Sequence, residues 1–183
     1  AQIIIVTKCP SNLSSAEKEK RIKEINPLPH QQVYFTCIRY STLNPFYTNQ
    51  TLPTAETEVL LVTGIANNTP LVTYLQSIFS KVYTLTFKDH HYYTHDDIEE
   101  IVQTFQQIHA TNKIIVSTEK DAARLHIVLH KIKEYRLPIF IQAIQIDFLF
   151  DEVELFTNKI ESYIYSIIPP IVEEDIVTKE IEE

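Results

Sequence analysis

The sequence predicts an α/β protein in three layers, a mostly parallel sheet with helices on both faces. Two observations lead there. From Glu58 onward, short apolar and β-branched runs alternate with segments of helical period, and the connections between them are short. A third observation, the recurrence of Thr or Ser three residues before Asp or Glu, marks where the helices begin. Alternation of this kind implies right-handed crossovers between parallel strands.

The elements follow in order. Residues 3–6 read as a buried strand ended by Lys8 and Pro10. Ser14 with Glu17 forms a capping-box pattern that opens a helix through about Ile25, and Pro27 and Pro29 stop it. Residues 32–40, rich in Val, Tyr, Phe, Thr and Ile, read as a strand. The next stretch, 41–57, carries prolines among many Thr and Asn residues and reads as a linker or ribbon, so the domain boundary is placed there. Residues 59–62 are a strand. Thr69 with Pro70 then starts a helix that buries Val72, Leu75 and Phe79. Residues 82–87 form the next strand. Thr94 and Asp97 cap a helix whose Ile98, Ile101, Val102, Phe105 and Ile108 share one face. After a strand at 114–116, Thr118 and Asp121 cap the helix carrying Ala122, Leu125, Val128, Leu129 and Ile132. A strand at 139–146 and a helix from about Asp151 to Ile167 complete the pattern.

Composition excludes several classes of function. A net charge of −8 argues against a general nucleic-acid binder, which needs a basic footprint to release counterions. Much of that charge sits in Glu173, Glu174, Asp175, Glu180, Glu182 and Glu183, read as a solvated tail. Cys9 and Cys37 make no disulfide framework and fit a reducing compartment as buried thiols. No run of 18 apolar residues suggests a membrane span, and no secretory signal opens the chain. A start at Ala1 inside an apolar run, with no Met anywhere, reads as a fragment of a longer product. The single glycine, Gly64, rules out any glycine-rich phosphate-binding loop among these residues.

In a parallel sheet, ligands gather outside the carboxyl ends of the strands. Three polar segments fall there: Thr63-Gly64-Ile65-Ala66-Asn67, then Lys88-Asp89-His90-His91-Tyr92-Tyr93-Thr94, then Ser117-Thr118-Glu119-Lys120-Asp121. The second, extended through Asp97, holds three His and three Asp in nine residues. The spacing is poor for a metal, because adjacent histidines in a tight loop point apart and no HExxH helix follows. Asp97 has a role as the N3 partner of Thr94, and His95 reads as first-turn surface. His90 paired with a carboxylate would suit acid–base chemistry, against the alternative of a surface histidine. The third segment caps a helix, and the same helix end could hold an anion facing Lys120. Lys8, closing the first strand, could pack on a nucleotide base, without the Asp two residues later that reads guanine.

These segments in this order resemble the tetraacyldisaccharide 4'-kinase family. The matches are Ile4-Ile5-Val6-Thr7-Lys8-Cys9-Pro10, Val62-Thr63-Gly64-Ile65-Ala66-Asn67, Phe87-Lys88-Asp89-His90-His91-Tyr92-Tyr93-Thr94 and Ser117-Thr118-Glu119-Lys120-Asp121-Ala122, spread over about residues 1–140. The resemblance implies the C-terminal portion of a cytoplasmic kinase, peripheral to the inner membrane, with two α/β/α lobes joined by a β linker. Residues 1–31 would end the nucleotide-binding lobe, 32–57 form the linker, 58–168 the C-terminal lobe and 169–183 the acidic tail. The family transfers the ATP γ-phosphate to the 4'-hydroxyl of tetraacyldisaccharide 1-phosphate, the lipid A precursor. Its phosphate-binding loop and Mg²⁺-binding acidic motif would lie in a missing N-terminal lobe, leaving this chain inactive and without bound cofactor by itself. The resemblance carries the catalytic histidine over to His90, a nucleotide contact to Lys8, and substrate or interlobe contacts to Gly64, Asn67, Asp89, Thr118 and Lys120. A non-catalytic interaction module and a His/Asp hydrolase remain as alternatives.

Overall fold

The structure is a computed structural model that describes residues 1–47 and 50–167. The acidic tail expected at 169–183 lies outside the described residues. The chain divides into two compact units, one of Ala1–Ile38 with the residues from Ile146 onward, the other Arg39–Gln145. By this grouping the last helix joins the first strand and helix, whereas the sequence pattern had set it with the C-terminal lobe.

The larger unit is built on a parallel sheet. Strand β3 (Glu58–Thr63) pairs with β4 (Lys81–Thr86) on one side and β5 (Lys113–Thr118) on the other, and β5 pairs with β6 (Ile139–Phe148). The order is therefore β6-β5-β3-β4, every pair parallel. Side chains alternate across a strand, so one sequence serves two cores. Leu60, Val62 and Ile115 face helix α3 (His95–Gln106), meeting Ile98, Ile101 and Phe105, together with Leu125 and Ile132. Val59, Leu61, Ile114, Val116 and Phe140 face helix α2 (Thr69–Ile78) through Leu71 and Leu75. Burial on both faces explains the unbroken apolar runs of β3 and β5, and gives the expected three layers.

Helix α3 begins as expected, with Thr94 accepting the Asp97 N–H and the Asp97 carboxylate reaching back. Lys113 Nζ closes the turn after it, donating to the carbonyls of Phe105 at 2.8 Å and Ile108 at 2.6 Å. Three expectations are corrected here. The N-cap of α2 is Asn68, not Thr69, and Leu71 is buried in place of Val72 and Phe79, which are half-buried. The helix expected from Thr118 through Ile132 is broken: α4 (Glu119–Leu125) passes into a 3₁₀ turn (His126–Val128) before α5 (Leu129–Glu134). The β-branched Ile127 and Val128 lose side-chain freedom in a helix, and the turn sends Ile127 to solvent while burying Val128.

In the smaller unit, β1 (Ile3–Cys9) runs parallel to β2 (Gln32–Pro45), with Ile3 opposite Gln32 and Val6 opposite Phe35. β2 reaches well past the predicted 32–40. The register slips between Val6 and Cys9, and Lys8 takes φ 59° within the slip. Contrary to expectation residues 3–6 of β1 are not buried, and Ile5 is 43% exposed. Helix α1 (Ser15–Ile25) carries the Ser14–Glu17 capping box and ends at Asn26 in the left-handed conformation, whose N–H donates to Ile22 O. Asn is one of the few residues that adopts this C-cap cheaply, so the helix stops before Pro27 is reached. Phe35, Cys9 and Leu13 form the local core, with both cysteines buried and free. Helix α6 (Val153–Ile167) buries none of its residues in the described structure.

Candidate active site

Parallel strands bring their carboxyl ends to one edge, and there three connections of the larger unit converge on Gly64. Its N–H donates to Asp121 Oδ1 at 3.1 Å, and its carbonyl accepts the His90 N–H at 3.1 Å. A Cβ at this position would stand 3.1 Å from Asp121 Oδ1 and 3.2 Å from both His91 Cβ and the Lys88 carbonyl. The chain's only glycine is thus placed where a Cβ would crowd two side chains and one backbone carbonyl.

Asp121 is the centre of the cluster. It is wholly buried, and besides Gly64 its carboxylate accepts the Thr118 hydroxyl at 2.7 Å and Arg124 Nη1 at 3.3 Å. Thr118 Oγ1 in turn accepts the Asp121 N–H at 3.1 Å, so the expected cap forms and both capacities of the hydroxyl are used inside the turn. Thr118→Ala is expected to cost about 0.5–2 kcal/mol of stability. Thermal melting of the chain checks this, and an unchanged melting temperature would refute a capping role. Tyr93 packs its phenol beside the same carboxylate; burial first, then the negative charge of Asp121, pushes the phenol far above its ordinary range.

The two adjacent histidines diverge, as a tight loop requires. The His91 N–H donates to the Lys88 carbonyl at 3.1 Å, closing a turn in which His90 takes φ 61°. His91 turns inward, its ring stacked on Phe87 at 4.7 Å and its Nε2 2.9 Å from Asp97 Oδ2. Burial opposes the charge on Asp97, but the Thr94 N–H and hydroxyl and the His91 ring together hold its carboxyl below the usual range. His90 turns outward with its side chain 80% exposed. Its ring nitrogen Nδ1 lies 3.1 Å from Arg124 Nη2, and Asp89 Oδ1 accepts its backbone N–H at 3.0 Å. Asp89 Oδ2 stands 3.7 Å from the ring Nε2, beyond a hydrogen bond. Arg124 holds the ring instead.

Of the other expected site residues, Asn67 accepts the Thr69 N–H at 3.0 Å and Lys120 is exposed at the start of α4. Lys8 belongs to the smaller unit and is exposed. Sequence reasoning missed Asn68, whose Nδ2 donates to Thr63 Oγ1 and Thr86 Oγ1, both at 3.1 Å, tying the ends of β3 and β4. It also missed Arg124. The one signal available was its spacing of three from Asp121, which puts both on one helix face. Among the described residues no group of three His, Cys, Asp or Glu is placed to hold a metal ion.

The fold and these loops define an α/β protein with a mostly parallel sheet, whose strand carboxyl-end edge is built from three connections around one buried carboxylate. Residues 1–165 match the family described as Tetraacyldisaccharide-1-P 4'-kinase, and the chain belongs to it. A Tetraacyldisaccharide 4'-kinase of Bacteroides thetaiotaomicron is 36% identical over 178 residues, covering 90% of this chain and 46% of the relative. One of Phocaeicola vulgatus is 34% identical over 171 residues, covering 90% and 46%. The crystal structure of "apo" form LpxK from Aquifex aeolicus in complex with ATP aligns with a TM-score of 0.45 at 14% identity, covering 90% of this chain and 51% of that one. The chain spans about half the length of the curated relatives it matches.

Proposed function

We propose that this chain is the C-terminal part of a kinase that transfers the γ-phosphate of ATP to the 4'-hydroxyl of tetraacyldisaccharide 1-phosphate, with His90 at the reacting end. The match of residues 1–165 to the kinase family carries this reading. In it, residues 1–31 finish a nucleotide-binding lobe, and the lobe that bears His90 lies within the unit Arg39–Gln145. An acylated acceptor sets the enzyme at the cytoplasmic surface of the inner membrane, and no helix among the described residues is long and apolar enough to cross it.

The residues present do not fit the triphosphate or Mg²⁺. One glycine cannot line a phosphate loop with successive N–H groups. The carboxylates at this edge are engaged by their own turns, Asp121 by Gly64 and Thr118, Asp97 by Thr94 and His91. In this reading the triphosphate and the metal therefore fall to residues other than those of this chain. What this chain supplies is an exposed imidazole. A carboxylate from elsewhere in the enzyme takes the proton of the attacking hydroxyl, and His90 holds and polarises that carboxylate.

The test is transfer of labelled γ-phosphate to tetraacyldisaccharide 1-phosphate by the full-length protein, beside calorimetry of the 183-residue chain with Mg-ATP. A 4'-phosphorylated product from the former and no saturable binding below the millimolar range by the latter are expected. Failure of the full-length protein to label the disaccharide overturns the reading, and micromolar binding by the chain alone overturns the division of labour.

A further inference from the structure

We infer that Arg124, anchored on the buried carboxylate of Asp121, is the positioning residue that holds the His90 ring in one tautomer with Nε2–H facing outward; the inference rests on the kinase reading for its consequence in turnover. An imidazole that is 80% exposed, on a loop tip, has no packing of its own to fix it. The guanidinium provides that. Its Nη1 is 3.3 Å from Asp121 Oδ1 and its Nη2 is 3.1 Å from His90 Nδ1, so the planar fork spans an anchor with no exposure and a ring in solvent. The Arg124 side chain is itself only 18% exposed.

The direction of the second contact has chemical content. A guanidinium only donates and does not lose its proton in proteins. His90 Nδ1 must therefore offer a lone pair, which leaves the proton of the neutral ring on Nε2. Nε2 faces no acceptor within hydrogen-bond reach among the described residues, Asp89 Oδ2 being 3.7 Å away. The ring is thus set to donate from Nε2 to an oxygen brought to it, a carboxylate or a sugar hydroxyl. The backbone enforces the same pose: the His90 N–H is held by Gly64 O at 3.1 Å and Asp89 Oδ1 at 3.0 Å. Thr118 thus acts on the ring through Asp121, and Gly64 acts both through Asp121 and on the His90 backbone.

The experiment has two arms. In the chain itself, with 15N-labelled histidine, His90 should show a bare, pyridine-type Nδ1 and a protonated Nε2 at neutral pH, and Arg124→Met should move the Nδ1 signal. In the full-length kinase, Arg124→Met should lower kcat by about 10–100-fold with KM nearly unchanged, the scale on which a partner that orients a functional histidine acts. Arg124→Lys should recover part of that loss. In a His90→Ala background the same Arg124→Met change should cost less than about 2-fold, because residues acting as one unit are not additive. A purely structural arginine would cost the same in both backgrounds, and that outcome overturns the inference, as does an unmoved Nδ1 signal. Normal turnover by His90→Ala with the Nδ1 signal still dependent on Arg124 would instead sink the catalytic reading while supporting the contact.

Discussion

His90→Ala in the full-length kinase is expected to lower the turnover number by about 10²–10⁴-fold, the usual scale of acid–base assistance, with ATP affinity little changed. His90 is the outward member of the pair and presents its ring to solvent, whereas His91 is spent on Phe87 and Asp97. His91→Ala should therefore reverse the pattern: a stability loss of about 1–2 kcal/mol and a much milder effect on turnover. Because position 90 has φ 61°, alanine there also strains the turn, so His90→Asn serves as the control that keeps the loop shape. Equal losses of turnover at 90 and 91 would mark a structural loop, and near-normal turnover in both 90 variants would remove the histidine from the mechanism.

The second large effect is on folding. Asp121→Ala is expected to destabilise the chain by about 3–5 kcal/mol, because it leaves the buried Gly64 N–H without an acceptor and deprives Arg124 and Thr118 of theirs. Asp121→Asn should be milder, since its amide oxygen still accepts from Gly64 and its NH₂ can donate to the Thr118 hydroxyl. Urea unfolding reads both, as a shift in midpoint at constant slope. An Asp121→Ala midpoint within error of the parent would mean that the cluster contributes nothing to the fold.

How much of this could be read from residues alone follows the range of each interaction. The capping boxes at Ser14–Glu17 and Thr94–Asp97 form as expected because donor and acceptor are three residues apart. The apolar runs of β3 and β5 imply burial on both faces, and α2 and α3 cover them. The Arg124–His90 contact joins residues 34 apart and depends on how the α4 turn meets the loop after β4. No local pattern carries that. The same limit hid the exposure of Ile5, since an apolar β-branched residue reads alike at the edge of a sheet and within it. The break between α4 and α5 was hidden because helical spacing continues through Leu125, Val128, Leu129 and Ile132 even though the backbone does not.

With His90 in the proposed catalytic role, its left-handed backbone would set folding and chemistry pulling in opposite directions. Glycine or asparagine would sit in that turn with less strain than a histidine. A library of variants sorted only for thermal resistance would drift away from histidine at 90, and nothing in its melting curves would register the loss. Consensus stabilisation or heat-based selection should therefore leave this position fixed, since the residue it favours removes the imidazole that Arg124 holds.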